Sequence, residues 1–312
     1  MRLFLLLILI VVLTGQAWSQ TRFQFSQFNG FDVSNSLIPQ DDILSGGPPK
    51  DGIPAIMHPK FEKAAEAKWL NDDDLVSGFA YNGVKRAYPL RILVWHEAVN
   101  DKIEDIAFLV SYCPLCGSTL IFDRSINGKE YTFGISGLLY QSDVLFYDRE
   151  TQSLWSQLEM KSVTGEMAGA KFKVLPSTLA TWKEWREKYP DTLVLSRDTG
   201  FSRDYGRQPY SGYEESRSIM FPTKNKSDKF HPKEKVLVVL SGDNAKAYPF
   251  SELRKVKTPL KDKIGDKDII IQFNDGDYVT ATSVSGDPLD SFVSYWFAWF
   301  TFKPDTLVYM SK

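Results

Sequence analysis

The sequence predicts an α+β fold in which antiparallel strands predominate and the helices are short. Two observations support this prediction: blocks of residues recur in the same order in both halves of the chain, and each half places apolar runs of strand length on either side of a turn. The chain has 312 residues, of which 43% are hydrophobic, so it can bury one large core or two smaller ones. Because it has only 2 cysteines, a disulfide framework is not what stabilises it.

The first segment predicts export. Residues 1–19 carry a positive charge at Arg2, then the apolar run Leu3–Leu13, then small residues up to Ser19. This order is typical of a cleaved secretory signal peptide. The apolar run is too short to cross a bilayer, which takes about 20 helical residues, and no later stretch is apolar enough. We therefore expect an exported protein, periplasmic or secreted, with no membrane span after cleavage.

The charge balance argues against nucleic acid as a partner. The chain has 37 Lys and Arg residues against 39 Asp and Glu residues, which leaves a net charge of -2. Binding to phosphate backbones requires clustered basic residues, and the sequence has no such cluster. The expected partner is a metal, a small molecule or another protein, and the sequence does not identify it.

Recurring blocks predict an internal duplication. The blocks and their recurrences are Lys85–Leu90 with Ala245–Phe250, Asp101–Ile103 with Asp262–Ile264, Trp182–Trp185 with Trp296–Trp299, and Pro190–Val194 with Pro304–Val308. We expect an N-terminal arm at 20–74, a first repeat at 75–200, a long connection at 201–234 and a shorter, degenerate second repeat at 235–312. The additional residues of the first repeat lie between Gly117 and Thr181.

A hairpin is predicted at the same place in each repeat. In the second repeat, apolar strands flank the turn Asn274–Asp277, where Gly276 would supply a positive φ. In the first repeat, the predicted strands Ile106–Tyr112 and Ser118–Phe122 flank Cys113-Pro-Leu-Cys116. Because the second repeat makes the turn without cysteines, we infer that the cysteines of the first repeat are there for reactivity.

Two helices are predicted in the first repeat. The segment Pro89–Val99 opens with a proline, which suits the first helical turn, and it carries His96 towards the hairpin. The segment Ser177–Tyr189 is the second, with Ser177 or Thr178 as its cap.

The Cys113-Pro-Leu-Cys116 turn is the one clear chemical site, and three interpretations of it stay open. Two thiolates with the His96 imidazole would suit a soft metal, copper or zinc. The pair could instead cycle between dithiol and disulfide, although the residues that follow it favour a strand over the helix of a thioredoxin-type site. In the third interpretation the cysteines are structural, as a passive disulfide or as two buried thiols.

The additional segment of the first repeat is predicted to form strands at Leu138–Tyr147 and Leu154–Leu158 around the turn Asp148–Ser153. Since this segment belongs to the repeat with the cysteines, we expect it to form one wall of a pocket. The candidate pocket residues are Tyr140, Ser142, Asp143, Asp148, Arg149 and Trp155. A plain β-hairpin with a charged tip and Trp155 in the core is the alternative.

A set of motifs in the first repeat is specific enough to compare with a known family. They are Trp95–Glu97, Val99–Asp101, Tyr112–Ser118, Phe122–Arg124, Phe133–Tyr140, Tyr147–Thr151, Leu154–Gln157 and Leu195–Gly200. Together they resemble the family called domain of unknown function 3179, across most of the chain. The resemblance implies a bacterial-type exported protein and implies no activity.

Two functional hypotheses follow. In the first, an exported protein binds copper or zinc, or cycles as a thiol–disulfide pair, through Cys113 and Cys116, with His96 assisting. In the second, a non-catalytic module binds a ligand or a partner protein, and the cysteines form a passive disulfide.

Overall fold

The computed structural model describes residues 26–274 and 278–311. The predicted signal peptide, residues 1–19, and the predicted turn glycine Gly276 lie outside the described residues.

Short strands make up most of the fold. In chain order they are β1 (Gln27–Phe28), β2 (Phe31–Asp32), β3 (Ile43–Ser45), β4 (Phe61–Lys63), β5 (Leu75–Tyr81), β6 (Val84–Pro89), β7 (Ala98–Ile103), β8 (Ile106–Cys113), β9 (Ser118–Asp123), β10 (Ser125–Ile126), β11 (Lys129–Glu130), β12 (Phe133–Tyr140), β13 (Asp143–Asp148), β14 (Leu154–Ser156), β15 (Lys161–Ser162), β16 (Lys173–Leu175), β17 (Thr178–Thr181), β18 (Leu193–Leu195), β19 (Lys235–Ser241), β20 (Asn244–Pro249), β21 (Leu260–Ile264), β22 (Lys267–Phe273), β23 (Val279–Ser283), β24 (Ser291–Tyr295) and β25 (Leu307–Val308). The helices are α1 (Leu90–His96), α2 (Trp182–Lys188), α3 (Phe250–Leu253) and α4 (Trp296–Phe302).

The predicted class, α+β with antiparallel strands predominating, is confirmed. Of the pairings between these strands, only β6 with β18 and β20 with β25 are parallel. In the part of the chain that the structure describes, no helix is long and apolar enough to cross a membrane.

Two eight-stranded sheets combine strands from both halves of the chain. One has the order β25-β20-β19-β24-β9-β8-β7, with β16 also paired to β9. The other has the order β21-β22-β23-β17-β5-β6-β18-β4. The first sheet therefore joins four strands of the second half to the three-stranded meander β7–β9 and to β16 of the first half. The second sheet joins five strands of the first half to the three-stranded meander β21–β23 of the second half. The junctions are β24 on β9, with Val293 opposite Thr119, and β17 on β23, with Leu179 opposite Val279.

The additional segment of the first half forms most of a third, five-stranded sheet with the order β15-β14-β13-β12-β3. Its hairpin β12–β13 turns at Gln141 and Ser142, which have φ values of 53° and 70°. The prediction of one strand over Leu138–Tyr147 was therefore wrong. This turn carries no ordinary sequence signal, because neither residue is the glycine or asparagine that usually takes a positive φ in a two-residue hairpin loop.

Both predicted helices are shorter than the sequence suggested. Helix α1 ends at His96 because Glu97 takes a φ of 57° and the next residue already belongs to β7. In the second predicted helix, Ser177–Tyr189, residues Thr178–Thr181 form strand β17 instead. Helix α2 begins after Thr181, whose side chain caps it by accepting from the Glu184 N–H at 3.3 Å in a capping box. The β-branched threonines that precede α2 favour the strand.

The largest core cluster contains both cysteines. They pack there with large aromatic side chains, including Trp155, Trp296 and Trp299. Between β18 and β19, the long connection contains no strand or helix. Its residues Tyr210 and Tyr213 nevertheless pack against this same cluster. The cysteine hairpin is thus enclosed by the second half of the chain, the additional segment and the connection.

Candidate metal centre at the cysteine hairpin

The two cysteines sit where the sequence predicts, at the tip of the β8–β9 hairpin. The Cys116 N–H donates to the Cys113 carbonyl at 3.1 Å, which closes a tight turn. Gly117 follows with a φ of 55°, and a Cβ placed there would lie 2.6 Å from the Tyr295 ring. Glycine is therefore required here, because other residues are strained at this φ and because a side chain would clash with the Tyr295 ring. Both cysteines are free thiols, so this structure contains no disulfide between them.

Asp143 completes a three-residue cluster with the cysteines. One ligand atom from each of Cys113, Cys116 and Asp143 lies within 4.8 Å of the others. The Cys116 Sγ lies 3.3 Å from the Ser142 carbonyl oxygen and 3.7 Å from the Asp143 Oδ1. The β12–β13 turn positions this aspartate, so the additional segment of the first half forms one side of the site.

The Asp143 carboxyl is fully buried, and both of its oxygens accept hydrogen bonds. Its Oδ2 accepts from the Leu158 N–H at 2.9 Å and from the Ser156 hydroxyl at 3.3 Å. These hydrogen bonds favour the charged form, but burial outweighs them and raises the pKa of Asp143 to about 7.

Two further acids around Asp143 are also held in their protonated forms. Burial raises the pKa of the Cys116 thiol well above its ordinary value, and Cys113 and Asp143 act in the same direction. Burial, with a smaller contribution from the Asp143 charge, raises the pKa of Glu97 to about 8. Among the described residues, no Lys or Arg is a main contributor to the pKa of any of these three groups. The site is thus a buried set of acids without a compensating cation.

Of the ten described non-glycine residues that have a positive φ, three lie beside the cysteine hairpin. Glu97, Gln141 and Ser142 all have positive φ values, 57°, 53° and 70°, although none is glycine. Glu97 precedes β7, which pairs with β8, and Ser142 contacts Cys116 directly. Such conformations cost roughly 1–3 kcal/mol each and are concentrated at functional sites.

Tyrosines cover the sulfur atoms. Burial, with the neighbouring thiols acting in the same direction, raises the pKa of Tyr213 above its ordinary range. Burial together with Glu97 and Cys113 raises the pKa of Tyr210 to about 12. The Tyr213 and Ser142 hydroxyls are buried, and neither has a hydrogen-bond partner of normal geometry among the described residues. Both are available to a bound species.

The structure does not bring His96 to the cysteines. Its Nδ1 lies 2.7 Å from the Pro54 carbonyl oxygen, and its Nε2 lies 2.7 Å from the Tyr205 hydroxyl. Both ring nitrogens are therefore engaged, and His96 is not part of the cluster formed with Asp143. Burial lowers the pKa of His96, so the neutral ring is favoured. The imidazole ties the long connection to the end of α1.

The remaining predicted pocket residues lie away from the sulfur atoms. Asp148 is a buried acceptor that holds its own turn together, with the Trp155 Nε1 donating to it at 2.9 Å. Trp155 is a core residue. Arg149 forms an ion pair with Asp51 at 2.7 Å on the surface side, and the Tyr140 ring packs against Phe302. Of the six candidates, Ser142 and Asp143 are at the cysteine site.

Sequence reasoning did not assign Glu97, Tyr210 or Tyr213 to the site. The sequence places Glu97 between a helix and a strand, and many residues without a functional role lie at such positions. The tyrosines come from the connection, which has no periodic pattern, so nothing in the sequence placed them over the sulfur atoms.

Comparison with known proteins gives one finding. A family model described as protein of unknown function (DUF3179) matches residues 50–286, which is more than half of the chain. No curated protein and no solved structure matches it.

Proposed function

The chain belongs to the domain of unknown function 3179 family, and from that starting point we propose that it is an exported metal-binding protein whose ion is held by Cys113, Cys116 and Asp143. The observation that carries the proposal is the cluster itself: three ligand atoms of suitable types lie within 4.8 Å of one another in a buried site. The proposed ion is zinc or copper, and His96 is replaced by Asp143 as the third ligand.

The electrostatics support a cation. Thiols and carboxyls are expensive to bury as anions, so without a cation they retain their protons. A divalent ion that displaces those protons would supply the charge that the site lacks, because metal ligands bind in their deprotonated forms. Asp143, with a pKa of about 7, would release its proton more readily than Glu97, with a pKa of about 8.

The ligand types favour zinc over copper. Zn(II) accepts thiolate sulfur at about 2.3 Å together with carboxylate oxygen at about 2.0–2.2 Å, usually in a tetrahedron. Cu(I) prefers soft ligands and gains less from a carboxylate. The cluster would need only a small contraction from its span of up to 4.8 Å to reach this geometry.

A redox-active thiol pair is the second candidate, and it is favoured by the direct interaction of the Cys113 side chain with the Cys116 thiol. The same environment argues against fast exchange, because the thiolate is the reactive form and burial raises the pKa of Cys116. The second candidate therefore predicts slow reaction of the folded protein with thiol reagents.

Metal content distinguishes these candidates. The protein is purified anaerobically with a reductant, saturated with zinc and copper in separate samples, freed of excess metal and measured for bound metal per chain. We expect close to one zinc per chain in the wild type, and little in Cys113→Ser/Cys116→Ser or Asp143→Asn. His96→Gln is the matched control, because its ring is buried but outside the cluster, and it should keep the metal.

Two outcomes would count against the metal proposal. Wild-type metal content no higher than that of the double cysteine variant would reject it. Retention of metal by Asp143→Asn together with loss of metal in His96→Gln would restore the imidazole as the third ligand.

Export is a part of the proposal that rests on residues 1–19 alone. Sequencing the N-terminus of the protein recovered outside the bacterial cytoplasm should show a chain that starts at Gln20. Recovery of the full chain in the cytoplasm alone would contradict it.

We also infer that the two halves arose by duplication. The order β25-β20-β19-β24-β9-β8-β7 corresponds strand by strand to β18-β6-β5-β17-β23-β22-β21. A side-chain detail recurs as well: the indole of Trp185 donates to Thr192, and the indole of Trp299 donates to Thr306, both at 3.0 Å. If the equivalent strands do not superimpose about one two-fold axis, the inference is wrong.

A further inference from the structure

We propose that Glu97 accepts a hydrogen bond from an exchangeable solvent molecule on the fourth position of the metal held by Cys113, Cys116 and Asp143. The centre would then be open to a small protic ligand, unlike a closed structural metal site. This inference rests on the proposed metal site and adds a role for a residue outside the ligand set.

The backbone fixes Glu97 from both sides. Its N–H donates to the Leu93 carbonyl at 2.7 Å, which ends helix α1, and its own carbonyl accepts from the Tyr112 N–H at 2.8 Å. Tyr112 directly precedes Cys113 in β8, so Glu97 is tied to the cysteine hairpin through one hydrogen bond. The side chain is only 6% exposed. A buried carboxyl is thus held at a defined place next to the hairpin.

No described residue donates a hydrogen bond to the Glu97 carboxyl. The charge of Asp143 helps to raise the pKa of Glu97, and the charge of Glu97 helps to raise the pKa values of Tyr112 and Tyr210. A bound solvent molecule that donates to Glu97 would supply the hydrogen bond that this carboxyl lacks.

The strain at Glu97 is specific to the half of the chain that has cysteines. Glu97 has a φ of 57°, where glycine or asparagine would be the ordinary choice at a helix end. In the second half, the residue 160 positions later is Lys257, which is not among the described residues with a positive φ. A buried glutamate at a strained position beside the cysteines points to a role for its side chain.

Glu97 lies outside the set of groups close enough to share one ion. The cluster within 4.8 Å contains only Cys113, Cys116 and Asp143. Three protein ligands leave the fourth tetrahedral position for water or another small ligand, which is the pattern of zinc sites that perform chemistry. A carboxylate beside a metal-bound water can accept a proton from that water, and this helps the metal to activate the water.

The residues around the fourth metal position favour a ligand that is small, uncharged and able to donate a hydrogen bond. The unpartnered hydroxyls of Ser142 and Tyr213 offer further hydrogen bonds. Anions would be opposed by the carboxyls of Glu97 and Asp143. Tyr210 and Tyr213 of the long connection pack in the same core cluster as the cysteines, which favours a small ligand.

The test uses the protein loaded with Co(II), whose visible bands report on its ligands, and imidazole above about pH 8 as a neutral protic probe. We expect a saturable spectral change in the wild type. Glu97→Gln should bind Co(II) in the same ratio but hold the probe at least about ten-fold more weakly. Glu187→Gln, an exposed glutamate on α2, is the matched control and should match the wild type.

The outcomes separate this inference from the proposed function. If the wild type binds Co(II) but the probe leaves the spectrum unchanged, the centre is closed and the inference is overturned, while the metal site stands. Equal probe affinity in Glu97→Gln and the wild type overturns the role of Glu97. Failure of the wild type to bind Co(II) rejects the metal site itself, and this inference with it. If Glu97→Gln does not fold by near-UV circular dichroism, Glu97→Asp carries the same comparison.

Discussion

Replacing Asp143 with asparagine should change how the stability of the metal-free protein depends on pH. The carboxyl is fully buried, and its pKa is raised from an ordinary 3.8 to about 7. A group whose pKa is higher in the folded state binds its proton more tightly there than in the unfolded chain. Its contribution to stability is therefore complete below pH about 4 and is lost as the pH rises towards 7.

The size of the effect follows from the shift. A pKa difference of about 3 units corresponds to about 4 kcal/mol, lost at about 1.4 kcal/mol per pH unit. Glu97, with a pKa of about 8, has the same sign, so the wild type should continue to lose stability up to pH 8. Asp143→Asn removes the first contribution and, because Asp143 is one cause of the raised pKa of Glu97, also reduces the second.

Urea unfolding followed by tryptophan fluorescence, in chelator and reductant from pH 5 to pH 8, measures these slopes. The free energy of unfolding of Asp143→Asn should fall less steeply than that of the wild type by about 1.4 kcal/mol per unit between pH 5 and 7. Asp198→Asn is the control, since its exposed carboxyl pairs with Lys60, which lowers its pKa and keeps it ionised over this range. With zinc present the wild-type slope should reverse, because proton release then favours metal binding.

Parallel pH profiles for the wild type and Asp143→Asn would refute the reasoning. That result would mean that the Asp143 carboxyl is solvated or already paired in the metal-free protein, and the charge argument for a cation would lose its basis.

Three further predictions test the surrounding structure. Gly117→Ala should lower the free energy of unfolding by about 2–5 kcal/mol, because alanine is strained at a φ of 55° and its Cβ would meet the Tyr295 ring; a loss below about 0.5 kcal/mol in chemical denaturation would contradict this. Asp148→Ala should cost at least about 2 kcal/mol, since it leaves buried donors unpaired, and an unchanged melting temperature would show that water satisfies them. Thr306→Ala should cost about 1 kcal/mol through the lost hydrogen bond from the Trp299 indole, and the fluorescence emission maximum of the folded protein should shift if that bond is present.

The cysteine hairpin was predictable because both halves of the chain carry the same local pattern. The predicted strands Ile106–Tyr112 and Ser118–Phe122 agree with β8 and β9 to within one residue at each end. Alternating apolar residues and a short turn depend only on neighbouring residues, so they can be recognised in the sequence without knowledge of the fold.

The third member of the cluster was not predictable as a ligand. Asp143 reaches Cys116 only because the β12–β13 hairpin turns at Gln141 and Ser142, and those residues carry no ordinary turn signal. The prediction that His96 lies beside the cysteines differs from the structure for the opposite reason. It is close to the cysteines in sequence, but the end of α1 directs its ring towards Pro54 and Tyr205, and the latter belongs to a segment without a pattern.

Each half of the chain contributes a three-stranded meander to the sheet of the other half. The cysteine site can therefore be completed only after the second half of the chain has been made. The hairpin with the cysteines is made early, but its neighbour in the sheet is β24, close to the C-terminus. The Tyr295 N–H that reaches the Cys116 carbonyl at 2.7 Å arrives with it. Under the proposed export, both thiols would therefore meet the oxidising exterior uncovered until β24, in the second half of the chain, arrives to shield them.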